Sequence, residues 1–218
     1  MVDYAASRFN MVESQLRTNK ILDHAILEAF ETLPRERFVP AALRSIAYVD
    51  EDIEIAPGRY LMEPMVLGRL LQAAAPQAHE TALDVGCGTG YATMMLGRLA
   101  ATVVGLESHP ELVGEARRIL TELEADNTAI VKGPLTEGYA KQAPYNVILL
   151  NGAVAEVPYA IREQLADGGR LVAVIRDSAG IGRATLMQRT GDVVSGRVLF
   201  DAAVPQLPGF ERAPAFVF

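Results

Sequence analysis

The sequence predicts an α/β fold: a mostly parallel, doubly wound sheet with a helical N-terminal extension and an antiparallel hairpin added at the C-terminal edge. Three observations carry that expectation. From Thr81 onward, apolar runs of strand length alternate with helical stretches, the pattern of parallel strands joined by crossover helices. The run Ala82-Leu83-Asp84-Val85 breaks into three alternating glycines, Gly86, Gly88 and Gly90, at the mouth of a helix. Such a turn lets a backbone approach a nucleotide-like ligand closely. Near the end, two alternating runs flank Gly191-Asp192, a hairpin turn signal.

Phe9, Val12 and Leu16 keep helical spacing, and Asp23 is placed to cap a second helix. Ile26, Leu27, Phe30 and Leu33 form the apolar face of that helix, and Pro34 stops it. Pro34-Arg35-Glu36-Arg37-Phe38-Val39-Pro40 is a proline-bracketed connector. Residues 53–63 read as a loop turning at Pro57-Gly58. A helix opened by Pro64 then carries Met65, Val66, Leu67, Leu70 and Leu71. Strands are expected at 81–85, 102–107, 128–132, 145–150 and 170–175, with a helix over 110–123 and hairpin strands at 184–189 and 197–204. No repeat, low-complexity tract or linker interrupts the chain. One domain over 1–218 is therefore expected, with 1–76 as a helical extension and substrate-side loop and 77–218 as the cofactor-binding core.

Composition bounds the function. A hydrophobic fraction of 50% and a mean hydropathy of +0.16 argue against disorder. No apolar run approaches the roughly 20 residues of a membrane helix, and Met1-Val2-Asp3-Tyr4 lacks the basic start of a signal peptide. A soluble, cytoplasmic protein with no membrane partner is the expectation. A net charge of −7 without a basic stripe argues against a nucleic-acid substrate. The single cysteine, Cys87, has no histidine or acid placed to activate it and reads as a small buried loop residue. No Cys/His group has metal-ligand spacing, so no metal is expected. His24 and His79 read as solvated or structural, and His109 lies two residues after Glu107, where an adenine would pass.

In open α/β sheets, ligands bind outside the carboxyl ends of the strands, so Gly86, Glu107, Gly133 and Asn151 are expected to share one cleft. A dinucleotide fingerprint would need a third glycine where Tyr91 stands; here the spacing is G-x-G-x-G, with Asp84 two residues before it. A second apolar run, 101–106, ends in Glu107, about 20 residues on, where nucleotide-binding units keep an acid for the ribose hydroxyls. This arrangement is similar to the loop that S-adenosylmethionine-dependent methyltransferases, with their Rossmann-like fold, wrap around the cofactor. The resemblance implies S-adenosyl-L-methionine as cofactor. The candidate contacts are Asp84, Gly86, Cys87, Gly88, Gly90, Glu107, Ser108, Gly133, Pro134, Leu135 and Asn151.

More of the chain, about 11–207, resembles the protein-L-isoaspartate O-methyltransferase family. The residues that carry this are Pro34 to Pro40 as written above, Ala47-Tyr48, Gly90-Tyr91, Ala143-Pro144-Tyr145, Val157-Pro158, Gln164-Leu165-Ala166-Asp167-Gly168-Gly169-Arg170-Leu171-Val172 and Val204-Pro205, in that order. The resemblance implies a protein-repair enzyme that esterifies the side carboxylate of isoaspartyl residues in damaged proteins. A carboxylate is already an ionised nucleophile, so the lack of a Ser/His/Asp triad is consistent with that chemistry. Two positions depart from the family pattern. Met62-Glu63-Pro64 stands where the family has Ser-Gln-Pro, and Gly133-Pro134-Leu135 where it has Gly-Asp-Gly, the aspartate facing the adenine. Met62 and Glu63, with Arg59 as a possible donor to an acceptor carboxylate, are the substrate-side candidates. Three readings stay open: an isoaspartyl enzyme, a methyltransferase of another acceptor such as a small carboxylic acid, and a non-catalytic module that binds the cofactor or a partner protein.

Overall fold

The computed structural model describes residues 2–212; Met1 and 213–218, the ends of the expected 1–218 domain, lie outside the described residues. Helix α1 (Tyr4–Met11) is capped by the Asp3 carboxylate, which accepts from the Ala6 N–H at 3.0 Å. It continues as a wider π turn over Val12–Leu16. That widening rotates the apolar face, so Met11, Val12 and Leu16 are buried while Phe9, expected on the same stripe, is exposed. Asp23 caps α2 (His24–Thr32) by accepting from the Ile26 N–H, and Ile26, Leu27, Phe30 and Leu33 are buried as the periodicity predicts.

Residues 53–63 are not a loop. Strands β1 (Ile53–Ala56) and β2 (Arg59–Leu61) pair antiparallel, Ile53 opposite Leu61 and Glu54 opposite Tyr60. The predicted Pro57-Gly58 turn closes them, with Gly58 at φ 69°. A register shift between Glu54 and Ala56 breaks the alternation, which is why so short a strand pair leaves little period-two signal. Pro64 then opens α3 (Pro64–Ala74) at its first turn.

The main sheet holds β3 (Thr81–Val85), β4 (Thr102–Glu107), β5 (Thr128–Lys132), β6 (Tyr145–Val154), β7 (Leu165–Arg176), β8 (Gly182–Thr190) and β9 (Val193–Asp201), in the order β5-β4-β3-β6-β7-β8-β9. The first five of these strands are parallel; β8 and β9 add antiparallel at one edge. Four strands differ from expectation: β6, β7 and β8 are longer, and β9 ends at Asp201 and starts at Val193, because the two-residue turn pairs Thr190 directly with Val193.

Central strands alternate between two cores. Val147 and Leu149 face a large core with α2, α3, α4 (Tyr91–Leu99) and α5 (Pro110–Glu122), while Ile148 and Leu150 face the other side. That second side is covered by the one-turn helix α6 (Tyr159–Arg162), Leu135, Leu207 and Phe210. Burial on both faces explains the nearly continuous apolar runs of β3 and β6. Ordering β4, β3 and β6 side by side brings their carboxyl ends together, and the reversal of strand order between β3 and β6 opens the crevice there.

Candidate active site at the carboxyl ends of the strands

After β3 the backbone turns sharply through Gly86, Gly88 and Gly90 at φ 79°, 57° and 94°, a left-handed region that favours glycine. The Gly86 and Cys87 N–H groups donate to the Leu106 carbonyl at 2.8 and 3.1 Å, tying the loop to the end of β4. Asp84 lies beneath it, fully buried, accepting from Thr93 Oγ1 at 2.7 Å and Asn151 Nδ2 at 3.3 Å. Burial raises its pKa to about 7, against the pull of those two donors. Asp84 and Asn151 thus brace the loop against β6. The Cys87 thiol is buried and its pKa is raised well above normal by the same desolvation, so it is inert as a nucleophile.

Glu107, at the end of β4, is fully buried. Its Oε1 accepts from the backbone N–H groups of Ser108 (2.8 Å) and His109 (3.0 Å), and its Oε2 from Gly88 N–H (2.8 Å) and Arg59 Nη2 (2.7 Å). The Gly133 N–H donates to the Glu107 backbone carbonyl at 3.1 Å, placing Gly133 beside the end of β4, with Pro134 exposed and Leu135 buried after it. His109 also stands there, as the residue before α5. The four residues expected to converge, Gly86, Glu107, Gly133 and Asn151, share one end of the sheet.

Arg59 departs from its expected place. Expected as a donor to an acceptor carboxylate, it is 3% exposed and reaches across to the glycine loop, also donating to the Gly86 carbonyl at 2.9 Å. It does so because β2 aims it inward from the hairpin.

Met62 is buried beside it, and its carbonyl accepts from Arg35 Nη2 at 2.8 Å. The Glu63 N–H donates to Asp52 Oδ1 at 2.9 Å, closing the base of the hairpin. Burial raises both carboxyls, Asp52 to about 6 and Glu63 to about 7, and Asp52 itself adds to the shift at Glu63.

Sequence reasoning missed Asp52, Ile55 and Leu207. Nothing in their local pattern marks them, since each acts through a fold-level contact; Leu207 alone adjoins a quoted motif, Val204-Pro205. After β9 the chain returns over the strand ends, where the Ala153 N–H donates to the Pro205 carbonyl and the Leu207 N–H to Ala153, both at 2.8 Å. A Cβ built at Gly86 would lie 2.7 Å from Leu207, and one at Gly88 would lie 2.8 Å from Ile55.

These donors and acceptors suit S-adenosylmethionine: a buried carboxylate bonded to a glycine turn at the carboxyl ends of parallel strands. The room beside them is taken by the protein itself. Arg59, Met62, Asn151, Gly152 and Leu207 help to line a cavity of only about 10 Å³, space for one water at most, whereas sites for small ligands measure about 300 Å³ or more. Among the described residues no group of three or more His, Cys, Asp or Glu side chains could hold a metal.

The family model for protein-L-isoaspartate(D-aspartate) O-methyltransferase matches residues 7–202. A protein-L-isoaspartate O-methyltransferase of Koribacter versatilis (strain Ellin345) is 41% identical over 172 residues, 79% of this chain and 78% of that protein. One from Methanoculleus marisnigri is 34% identical over 186 residues, 85% and 84% of the two chains. Among solved structures, a protein-L-isoaspartate O-methyltransferase superposes with a TM-score of 0.81 at 22% identity, over 93% of this chain and 66% of that one. A Plasmodium falciparum structure described as a complex with S-adenosyl-L-homocysteine gives 0.79 at 18% identity, over 95% and 99%. Both show the shared fold. With its glycine turn, its acid at the end of β4 and a family match over nearly its whole length, the chain belongs to the protein-L-isoaspartate(D-aspartate) O-methyltransferase family.

Proposed function

We propose that the protein is an S-adenosylmethionine-dependent O-methyltransferase that esterifies the side carboxylate of L-isoaspartyl residues in damaged proteins. The observation that carries this is the Glu107 carboxylate facing the Gly86–Gly88 turn in a chain of this family. Gly86 and Gly88 lack side chains where a nucleoside must lie against backbone. Glu107 accepts the ribose hydroxyls, with Ser108 and His109 N–H groups holding it in place; Gly133, Pro134 and Leu135 flank the adenine, and Asn151 with Asp84 sets the loop. Cys87 and Gly90 serve as loop geometry.

When bound, the cofactor supplies a methyl group activated by its sulfonium. The protein then needs no general base, because the acceptor oxygen is already anionic. Its work is alignment of oxygen, methyl carbon and sulfur, in a pocket that Met62 and Leu207 keep dry. Pro134 has no N–H and no carboxylate to offer an adenine, so adenine recognition rests on the backbone and on shape.

Of the proposed division into a substrate side over 1–76 and a cofactor core over 77–218, the described part is 2–212. No described helix is long and apolar enough to cross a membrane, in keeping with a cytoplasmic enzyme acting on protein or peptide carboxylates. Met62 and Glu63 stand where the family has a hydroxyl and a neutral amide, and small carboxylic acids are the alternative acceptor class. Tritium-labelled S-adenosylmethionine incubated with paired isoaspartyl and aspartyl peptides tests the reading. Base-labile label on the isoaspartyl peptide alone is expected; cofactor binding without such transfer would overturn the isoaspartyl assignment.

A further inference from the structure

The Glu107 carboxylate has about four lone-pair positions, and in this structure all four are taken: two by the Ser108 and His109 N–H groups on Oε1, where the Ser108 hydroxyl adds a longer contact at 3.4 Å, and two by Gly88 and Arg59 on Oε2. Ribose hydroxyls therefore reach it only by displacing a donor. Three of the donors are backbone N–H groups fixed by the turn after β3 and the start of α5. Arg59 alone comes from a different element, and its guanidinium sits against Gly86, where a nucleoside would lie.

From this saturation we infer that Arg59 is a latch: with no cofactor bound, it closes the site by holding Glu107, and cofactor binding and opening of the β1–β2 hairpin are one event. The inference rests on the cofactor reading above.

The hairpin is built to move. Its two short strands form a sheet of their own; Ile53 and Leu61 at the base are buried in the main core, whereas residues 54–58 at the tip are not buried. Both strands plug the site, β1 through Ile55 over Gly88 and β2 through Arg59. Its base is pinned, by Glu63 N–H on Asp52 and by the buried Arg35 on the Met62 carbonyl, so the strands can swing while their ends stay fixed. The closed state is imperfect: Arg59 Nε is buried without a hydrogen-bond partner, a penalty that opening relieves. Release of Arg59 frees one position on Glu107 Oε2, and a ribose hydroxyl that takes it replaces the lost charge-assisted bond with another.

Calorimetric titration with S-adenosyl-L-homocysteine tests this in wild type, Arg59→Met and Arg59→Lys. Arg59→Met keeps most of the side-chain volume and removes the competing charge, so its dissociation constant is expected to fall at least about tenfold, with Arg59→Lys between it and wild type. A second readout needs no variant. Amide hydrogen exchange over 53–61 in wild type is expected to quicken on adding S-adenosyl-L-homocysteine, while the 86–90 amides slow. Equal or weaker binding by Arg59→Met, or hairpin amides that slow with ligand, would overturn the latch while leaving the cofactor reading intact. No binding by either protein would overturn both.

Discussion

Arg35 and Met62 are joined by a buried hydrogen bond, Nη2 to the Met62 carbonyl at 2.8 Å, that connects the proline-bracketed segment to the substrate side of the site. The same guanidinium donates through Nε to the Ala47 carbonyl at 2.7 Å and lies 5.0 Å over the Tyr91 ring, at the start of the helix behind the glycine turn. One fully buried cation thus fixes three segments. Lysine supplies neither the planar fork nor the stacking face. Arg35→Lys is expected to lower stability by about 2–4 kcal/mol, since at least one buried carbonyl loses a charged donor. Urea denaturation measures this; a midpoint equal to wild type would remove the anchoring role.

Glu107→Gln separates the two duties of that carboxylate. The amide keeps its size but turns an NH₂ toward backbone donors, and the charge-assisted bond to ribose is lost at about 1.5–3 kcal/mol. The dissociation constant for S-adenosyl-L-homocysteine is expected to rise at least about tenfold in wild type. It should rise further in an Arg59→Met background, where no ion pair had competed for the carboxylate. Equal losses in the two backgrounds would mean that Arg59 and Glu107 act independently on binding.

Met62 is buried in the main core as well as facing the acceptor side. Met62→Ser restores a hydroxyl where the family has one, so isoaspartyl turnover is expected to rise, by up to about a hundredfold if the bond is made to a charged acceptor. It also removes buried apolar volume, at about 2–5 kcal/mol. The two effects are read separately, by steady-state kinetics below the melting temperature and by thermal denaturation. Turnover that stays level or drops would place the acceptor away from Met62.

The sheet and the turn at its carboxyl end were legible in the sequence because they are written in short-range patterns. Apolar runs buried on both faces mark β3 and β6, glycines at positive φ mark the turn, and an acid ends β4. The Asp23 cap and the Pro64 helix start follow equally local rules. The substrate side was not legible. Arg59 looks like any loop arginine until a bulged hairpin, too short to show alternation, carries it across to Glu107. Leu207 and Asp52 meet the site through contacts distant in sequence, and Phe9 left its predicted stripe because a π turn shifted the helical phase.

The acceptor side also carries a pH dependence that tests its electrostatics. Glu63 precedes α3, a position where the helix dipole favours a carboxylate. Burial nonetheless raises its pKa from 4.5 to about 7, helped by Asp52, Asp50 and Glu51 and opposed by Arg35. Between those two values the folded protein holds a proton that the unfolded chain releases, so stability falls as pH rises through this window. The contribution is fully present below pH 4.5 and lost above about pH 7. Glutamine at this position cannot ionise. The melting temperature of Glu63→Gln relative to wild type is therefore expected to climb from pH 4.5 to 7 and then level off. Part of the gain passes through Asp52, whose carboxyl loses a like-charged neighbour and ionises more easily in the variant. Parallel melting curves across this range, with a constant offset, would show that Glu63 is solvated in solution and leaves the acceptor side free of its charge.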